Sequence, residues 1–224
     1  MSERLWTILL ESFPKIFMAG VKVTIPLTVI SFLFALVISV IVAMIQYADV
    51  PVLKQICRFY IWLIRGTPML VQLYVVFYGL PSVGIVLDPY PSAIIVLAFN
   101  EGAYMAESVR GALESVPTGQ LEAGQCIGLS YFQIMYRIVL PQAFRVAFPA
   151  LSNSLISMLK GTSLVTTVTI TEMLRQAQII NSRYYQAMGL YCEVALIYLL
   201  FCSLLTVLQR VIEKKLNSYG GRNK

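Results

Sequence analysis

The chain of 224 residues contains no histidine, and only 12% of its residues are charged. The absence of histidine excludes imidazole metal ligands, Ser-His-Asp and Cys-His catalysis, and pH sensing by a side chain that titrates near neutrality. Soluble domains carry about 25% charged residues and about 45–50% apolar residues. Here 58% of the residues are hydrophobic and the mean hydropathy is +0.75, which argues against a soluble globular protein.

Cysteine is also scarce, and its spacing carries no motif. The four cysteines lie far apart and form no CxxC pair, so they predict neither a zinc site nor a redox pair and are interpreted as apolar core residues: Cys57, Cys126, Cys192 and Cys202. No catalytic or metal site is predicted. The first residues include Glu3 and Glu11 and lack a clean apolar segment before a cleavage site, so no cleavable signal peptide is predicted.

Long apolar segments dominate what is present. A membrane-spanning helix needs about 20 mostly apolar residues, and five segments meet or approach that length. The predicted fold is therefore an all-α integral membrane domain over residues 1–224, with spans at about 23–48, 59–80, 92–113, 141–168 and 184–208.

The two ends of the chain are predicted to be distinct from the spans. Residues 1–17 carry Leu5, Trp6, Leu9 and Phe13 at a helical spacing, which is typical of an amphipathic helix lying at the membrane interface with Trp6 as an anchor. Residues 209–224 form a basic tail. No tandem repeat and no second domain are visible in the sequence.

The distribution of basic residues predicts the orientation. If five spans alternate, one face carries ten Lys and Arg residues and the other carries five. Cytoplasmic loops are enriched in Lys and Arg, so the N-terminus is predicted outside and the C-terminus in the cytoplasm. The net charge of +6 is then explained by topology, and no nucleic-acid partner is expected.

The segment 114–140 between the third and fourth predicted spans has the pattern of two short cytoplasmic helices. The first is predicted over 120–127 and ends at Gly128 in a left-handed conformation. Ser130 and Gln133 have the spacing of a capping box for the second helix, which is predicted to end before Pro141. A compact helix-turn-helix of this kind suits a groove of another protein.

The same residues resemble the signature of ABC-importer permeases, which reads Glu-Ala-Ala, three residues, Gly, nine residues and Ile-any-Leu-Pro. Six of its seven positions match, and Gly124 replaces the second alanine: Glu122, Ala123, Gly124, Gly128, Ile138, Leu140 and Pro141. The resemblance implies a type I importer fold in which this segment is the coupling helix, with Glu122, Ala123, Gly124 and Gly128 as the ATPase-coupling residues.

This resemblance also implies partners. The sequence has no GxxxxGK[ST] loop, so ATP and Mg are expected to bind to two separate cytoplasmic ATPase subunits and to no site in this chain. A second permease copy is expected, as a homodimer in preference to a paralogue, in the lipid of a bacterial inner membrane. An extracytoplasmic amino-acid-binding protein is expected to deliver the substrate.

Motifs elsewhere resemble the polar amino-acid branch of these permeases. The run GTPMLVQLYVVFYGLPSVGIVLDPYPSA and the segment LSNSLISMLKGTSL look most like cystine-type permeases. L-cystine is the substrate that this resemblance implies. The alternative left open is an ion-coupled secondary amino-acid transporter, in which Glu101 or Glu107 would supply the coupling carboxylate.

Polar residues inside the predicted spans are the candidates for a substrate path, because charged groups there usually face the bundle interior or a water-filled path. They lie at helical spacing on three spans: Arg65, Thr67 and Gln72; Asn100, Glu101, Tyr104 and Glu107; Asn153, Ser157, Lys160 and Ser163. In one interpretation they contact a zwitterionic substrate. In the other, Glu107 pairs with Arg65 or Lys160 and only fixes the packing.

Overall fold

The computed structural model describes residues 3–218, and these contain helices and no strand. The α-helices are α1 (Glu3–Ala19), α2 (Ile25–Tyr47), α3 (Pro51–Arg65), α4 (Met69–Tyr74), α5 (Pro89–Glu114), α6 (Thr118–Cys126), α7 (Tyr131–Ile134), α8 (Leu140–Gly161), α9 (Met173–Tyr184) and α10 (Ala187–Ser218). π-Helical turns lie at Gly20–Thr24, Val75–Gly79 and Met135–Val139, and 3₁₀ segments at Leu80–Val83 and Thr162–Val168.

The first long helix is continuous from α1 through a π-helical turn into α2. Pro26 has no N–H to donate, and the turn before it shifts the backbone bonding so that Ile25 N–H reaches the Gly20 carbonyl. Gly20 is required for packing, because a Cβ there would lie 2.5 Å from a ring carbon of Phe201 and 2.7 Å from Met173 Sδ.

Helix α1 packs along the first half of α10. Leu5 lies against Gly189, the Ser12 hydroxyl donates to the buried Glu193 carboxylate, and the rings of Phe17 and Phe201 are 5.4 Å apart. Segment 3–17 is thus a helix continuous with the first span, with one face in the core. Its position at the membrane interface stays a prediction, and residues 1 and 2 lie outside the described part.

The second predicted span is broken, as the Gly-Thr-Pro sequence indicates. Residues Pro51–Arg65 and Met69–Val83 meet at an angle of 101°. Gly66 permits the turn, because a Cβ there would lie 2.8 Å from the Trp62 carbonyl oxygen. The break exposes backbone groups of the last turn of α3, which is the condition under which irregular backbone can line a cavity.

One prediction for the cytoplasmic segment is wrong: the second coupling helix does not end before Pro141. The π-helical turn Met135–Val139 places the Leu140 N–H on the Met135 carbonyl, five residues back, and α8 then begins. Gln142 Nε2 donates to the Ile138 carbonyl oxygen at 2.9 Å. A π turn therefore accommodates the proline without stopping the helix, and residues 131–161 are continuously helical.

The last predicted span also has different limits. Tyr184 ends α9, and Tyr185 turns the chain with a positive φ of 53°. α10 begins at Ala187 and runs ten residues beyond the predicted limit at 208, so the first ten of the sixteen residues of the basic tail are helical. Residues 219–224 of that tail lie outside the described part of the chain.

Two described helices, 4–47 and 187–216, are long and apolar enough to cross a membrane, and the bent pair makes a third if it is one span. α5 and α8 carry polar side chains along their length and pack against α2 around a shared core that includes Ala35, Met105 and Leu151. Five spans and the orientation of the termini therefore stay predictions. α5 lies at the centre of the fold, and the candidate site residues are placed around it.

Candidate functional site

A glutamine closes the break between α3 and α4. The Gln72 amide nitrogen donates to the Ile64 carbonyl at 2.8 Å, to the Thr67 carbonyl at 3.1 Å and to Thr67 Oγ1 at 2.8 Å. Its amide oxygen accepts a bond of 2.9 Å from Asn100 Nδ2 on α5. Three predicted path residues, Thr67, Gln72 and Asn100, are thus joined in one polar cluster, which we call the amide cluster.

Below the amide cluster, charged side chains follow α5 toward its C-terminal end. The Arg65 guanidinium lies 5.2 Å from the centroid of the Tyr104 ring and 3.9 Å from the Glu107 carboxylate. Arg110 is closer to Glu107, at 3.2 Å, and binds Glu114 at 2.7 Å. Glu107 therefore pairs with Arg65, one of the two predicted partners, and also with Arg110, which the sequence pattern did not single out.

Glu101 lies where α5 packs against α8. Its carboxylate is near the Ser154 side chain of α8. Ser154 was missed in the sequence because it lies one residue beyond the polar stripe that begins at Asn153. The motif Ser-Asn-Ser was the available signal. Glu101 thus lies at a helix contact, outside the hydrogen bonds of the amide cluster.

The predicted stripe on α8 is not joined to the amide cluster. Asn153, Ser157 and Lys160 are exposed on the face away from the buried Ala147, Leu151 and Met158. Within residues 4–216 Lys160 forms no ion pair, so it does not balance Glu107. The Ser163 hydroxyl donates to the Lys160 carbonyl oxygen at 2.8 Å, within the 3₁₀ segment that follows α8. The exposed α8 face is available to a second chain or to substrate.

The coupling segment has the predicted local geometry. α6 spans Thr118–Cys126, against the predicted 120–127, and Gly128 has a φ of +79°, which only glycine adopts without strain. Ser130 and Gln133 form the capping box through both reciprocal hydrogen bonds. Glu122 and Ala123 are exposed on α6, whereas Gly124 is buried.

Exposed apolar side chains surround this turn and were missed in the sequence reasoning. Ile127 is 75% exposed, Phe132 81% and Tyr136 77%. Together with Glu122 and Ala123 they form what we call the coupling patch. Large apolar groups left exposed on a short helical turn are typical of a surface that a partner covers. The aromatic content of YFQIMY was the signal that could have indicated it.

Gly124, the departure from the permease signature, is explained by its neighbours. A Cβ at this position would lie 2.9 Å from Ile134 Cγ1 and 3.2 Å from the Cδ1 atoms of Ile134 and Ile138. The two isoleucines fill the space that a second alanine occupies in the motif. The small residue therefore fixes the distance between α6 and the helix that follows it.

We predict that Gly124→Ala destabilises the coupling turn by about 1–3 kcal/mol, the usual cost of overpacking. The measurement is the thermal unfolding midpoint of the purified chain in detergent. In an Ile134→Ala background, where the nearest clashing atom is absent, Gly124→Ala should cause little or no further loss, and comparison with Ile134→Ala alone measures this. Glycine lowers intrinsic helix propensity, so a midpoint that rises in Gly124→Ala alone would contradict this packing argument.

The sequence matches one protein family over residues 35–218, described as the inner membrane component of binding-protein-dependent transport systems. It is 43% identical over 215 residues to the L-cystine transport system permease protein TcyB of Bacillus subtilis, with 96% of this chain and 92% of the relative covered. It is 41% identical over 187 residues to the probable amino-acid ABC transporter permease protein PatM of Vibrio harveyi, covering 82% and 84%.

Solved structures show the same architecture. A crystal structure of an amino acid ABC transporter with histidines superposes with a TM-score of 0.85 at 30% identity, covering 92% of this chain and 96% of that one. A chain of the inward-facing MetNI methionine ABC transporter superposes with a TM-score of 0.71 at 21% identity, covering 96% and 99%. The second likeness concerns the fold alone.

Proposed function

The chain belongs to the family of inner membrane components of binding-protein-dependent transport systems and is an amino-acid ABC importer permease, and we propose that the amino acid it carries is L-cystine. The observation that supports this substrate most directly is the 43% identity, across almost the whole of both chains, to a permease named for L-cystine transport.

The chemistry of the amide cluster suits such a substrate. Cystine carries two carboxylates and two ammonium groups, so its binding site needs donors and acceptors in proximity. Gln72 and Asn100 carry amide groups of both kinds, which the substrate would reach by replacing the bond between them, and Arg65 supplies a cation over the Tyr104 ring, one helical turn from Asn100. The Glu101 carboxylate, one residue along α5 from Asn100, would meet an ammonium group of the substrate.

The route from ATP hydrolysis to this site passes through the coupling patch. In the proposed mechanism the patch lies in a groove of an ATPase subunit, and closure of the paired ATPases moves α6 and the continuous helix 131–161 together. That helix carries Ser154, which lies near Glu101, so a rigid movement of it changes the contact between α5 and α8. The translocation path then opens to the outside, and hydrolysis of ATP returns it to the inward-open state.

The proposed assembly contains two copies of this permease, two ATPase subunits that bind ATP and Mg, and an extracytoplasmic binding protein. Its place is the bacterial inner membrane, with five spans in each copy, the N-terminus outside and the coupling patch in the cytoplasm. One copy alone would form half of the translocation path and would leave polar groups without partners. The exposed stripe of Asn153, Ser157 and Lys160 would face the second copy.

The test is stimulation of ATP hydrolysis in the reconstituted complex. The external binding protein would be loaded in turn with L-cystine, arginine, glutamine, histidine and methionine. We expect the largest stimulation with L-cystine, because the loaded binding protein must match the substrate that the path accepts. A larger stimulation by another amino acid would overturn cystine as the substrate. Uptake by the chain alone, without the ATPase, would overturn the ATP-driven mechanism.

A further inference from the structure

A polar cavity of about 300 Å³ lies at the coupling end of α5, away from the amide cluster. It is lined by six side chains from α2, α3 and α5: Gln46, Lys54, Arg58, Glu107, Arg110 and Glu114. Glu114 ends α5, four residues before α6 begins. The cavity is at the lower end of the volume range of small-molecule sites, and under the proposed function it faces the ATPase side.

The charges of this cavity are incompletely matched. Arg110 holds both carboxylates, Glu107 at 3.2 Å and Glu114 at 2.7 Å, and Lys54 pairs with Asp49 outside the cavity. Arg58 acts on the Asp49 carboxylate from a distance but forms no ion pair within the part of the chain that the structure describes. One guanidinium therefore remains to bind an anionic group.

A buried amide also points to a ligand. Gln46 is 8% exposed, and its side-chain nitrogen is buried without a hydrogen-bond partner. Leaving a buried donor unsatisfied costs about 1–3 kcal/mol, so such groups usually reflect a missing partner. Gln46 and Arg58 both line the cavity, and rotation of the Gln46 amide would turn its nitrogen toward an acceptor bound beside Arg58.

We infer that this cavity is a second amino-acid site, distinct from the amide cluster, in which the substrate carboxylate accepts hydrogen bonds from Arg58 and Gln46 and the ammonium group faces Glu114. The inference rests on the proposed function. Glu107 belongs both to the α5 stripe and to this cavity, so the cavity continues the path toward the cytoplasm. The two carboxylates favour a zwitterion over a phosphate, which carries more negative charge.

The test is equilibrium binding of radiolabelled L-cystine to the complete permease–ATPase complex in phosphatidylcholine nanodiscs, without the external binding protein. We expect two sites for each permease chain. Arg58→Gln should weaken one of them by about tenfold or more, the usual effect of losing a charged hydrogen bond. Arg145→Gln, which changes an exposed arginine outside the cavity, should alter neither.

A second variant keeps the inference falsifiable if Arg58→Gln fails to assemble. Gln46→Leu removes the unpaired amide at similar volume, so the folded chain should be no less stable, while the same site weakens.

If the wild type takes up L-cystine with ATP but shows one site, sensitive only to Asn100→Leu, the second site is overturned and the proposed function stands. If inorganic phosphate binds in an Arg58-dependent manner and L-cystine does not, the site takes phosphate and the inference also fails. If no amino acid binds or is taken up, the proposed function itself fails.

Discussion

Replacing Glu122 with lysine is expected to reduce the stimulation of ATP hydrolysis by the loaded binding protein by about tenfold or more. Glu122 is exposed on α6 and belongs to the coupling patch. Reversing its charge inside an interface creates a mismatch, and like-charge contacts across interfaces cost several kcal/mol. The measurement compares ATPase rates of the reconstituted complex with and without loaded binding protein.

The chain itself should stay intact in this variant. Glu122 forms no hydrogen bond or ion pair with residues 4–216, and surface substitutions of this kind usually change the free energy of unfolding by less than about 0.5 kcal/mol. The unfolding midpoint of the isolated permease should therefore be unchanged. Gln55→Lys, which adds a cation at an exposed position of α3, is the control and should retain full stimulation.

Two results separate the ways in which coupling can fail. If Glu122→Lys prevents the ATPase from copurifying, the patch holds the partner. If the complex forms but hydrolysis no longer responds to the binding protein, the patch transmits movement. A complex that assembles and is stimulated as well as the wild type would remove Glu122 from the coupling surface.

The features that the sequence predicted correctly depend on local chemistry. The break at Gly66–Pro68, the positive φ of Gly128 and the capping box at Ser130 each follow from residues within a few positions of one another. Local steric and hydrogen-bonding rules are sufficient for such features. The same rules failed at Pro141, because a π turn offers a second way to accommodate a proline that the bonding pattern alone does not exclude.

The features that were missed depend on partners distant in sequence. Ser12 bonds to Glu193, 181 residues away, and no periodicity in either segment indicates this pair. Gly124 looked like a harmless small-residue exchange until the positions of Ile134 and Ile138 were known. Helical spacing identified which polar residues share a face, but it could not show that Asn153 and Lys160 lie apart from the amide cluster.

Within the amide cluster, Gln72→Leu and Asn100→Leu are each expected to reduce ATP-driven L-cystine uptake by about tenfold or more in proteoliposomes. Gln72→Leu removes the donor that closes the break between α3 and α4, and it also leaves Asn100 without its partner. Asn100→Leu keeps the contacts of Gln72 with Ile64 and Thr67 but leaves the Gln72 oxygen unpaired. A buried polar group without a partner costs about 1–3 kcal/mol.

The double variant distinguishes a shared site from two independent effects. If both residues act through the bond of 2.9 Å between them, the double variant should transport no worse than Gln72→Leu alone, because residues in contact are not additive. Gln55→Leu, an exposed amide on α3, is the control for amide loss and should leave uptake unchanged. Copurification of the ATPase with each variant reports intact assembly. If the uptake of the double variant falls by the product of the two single losses while assembly stays intact, Gln72 and Asn100 act on transport independently. The path would then not be built around their hydrogen bond.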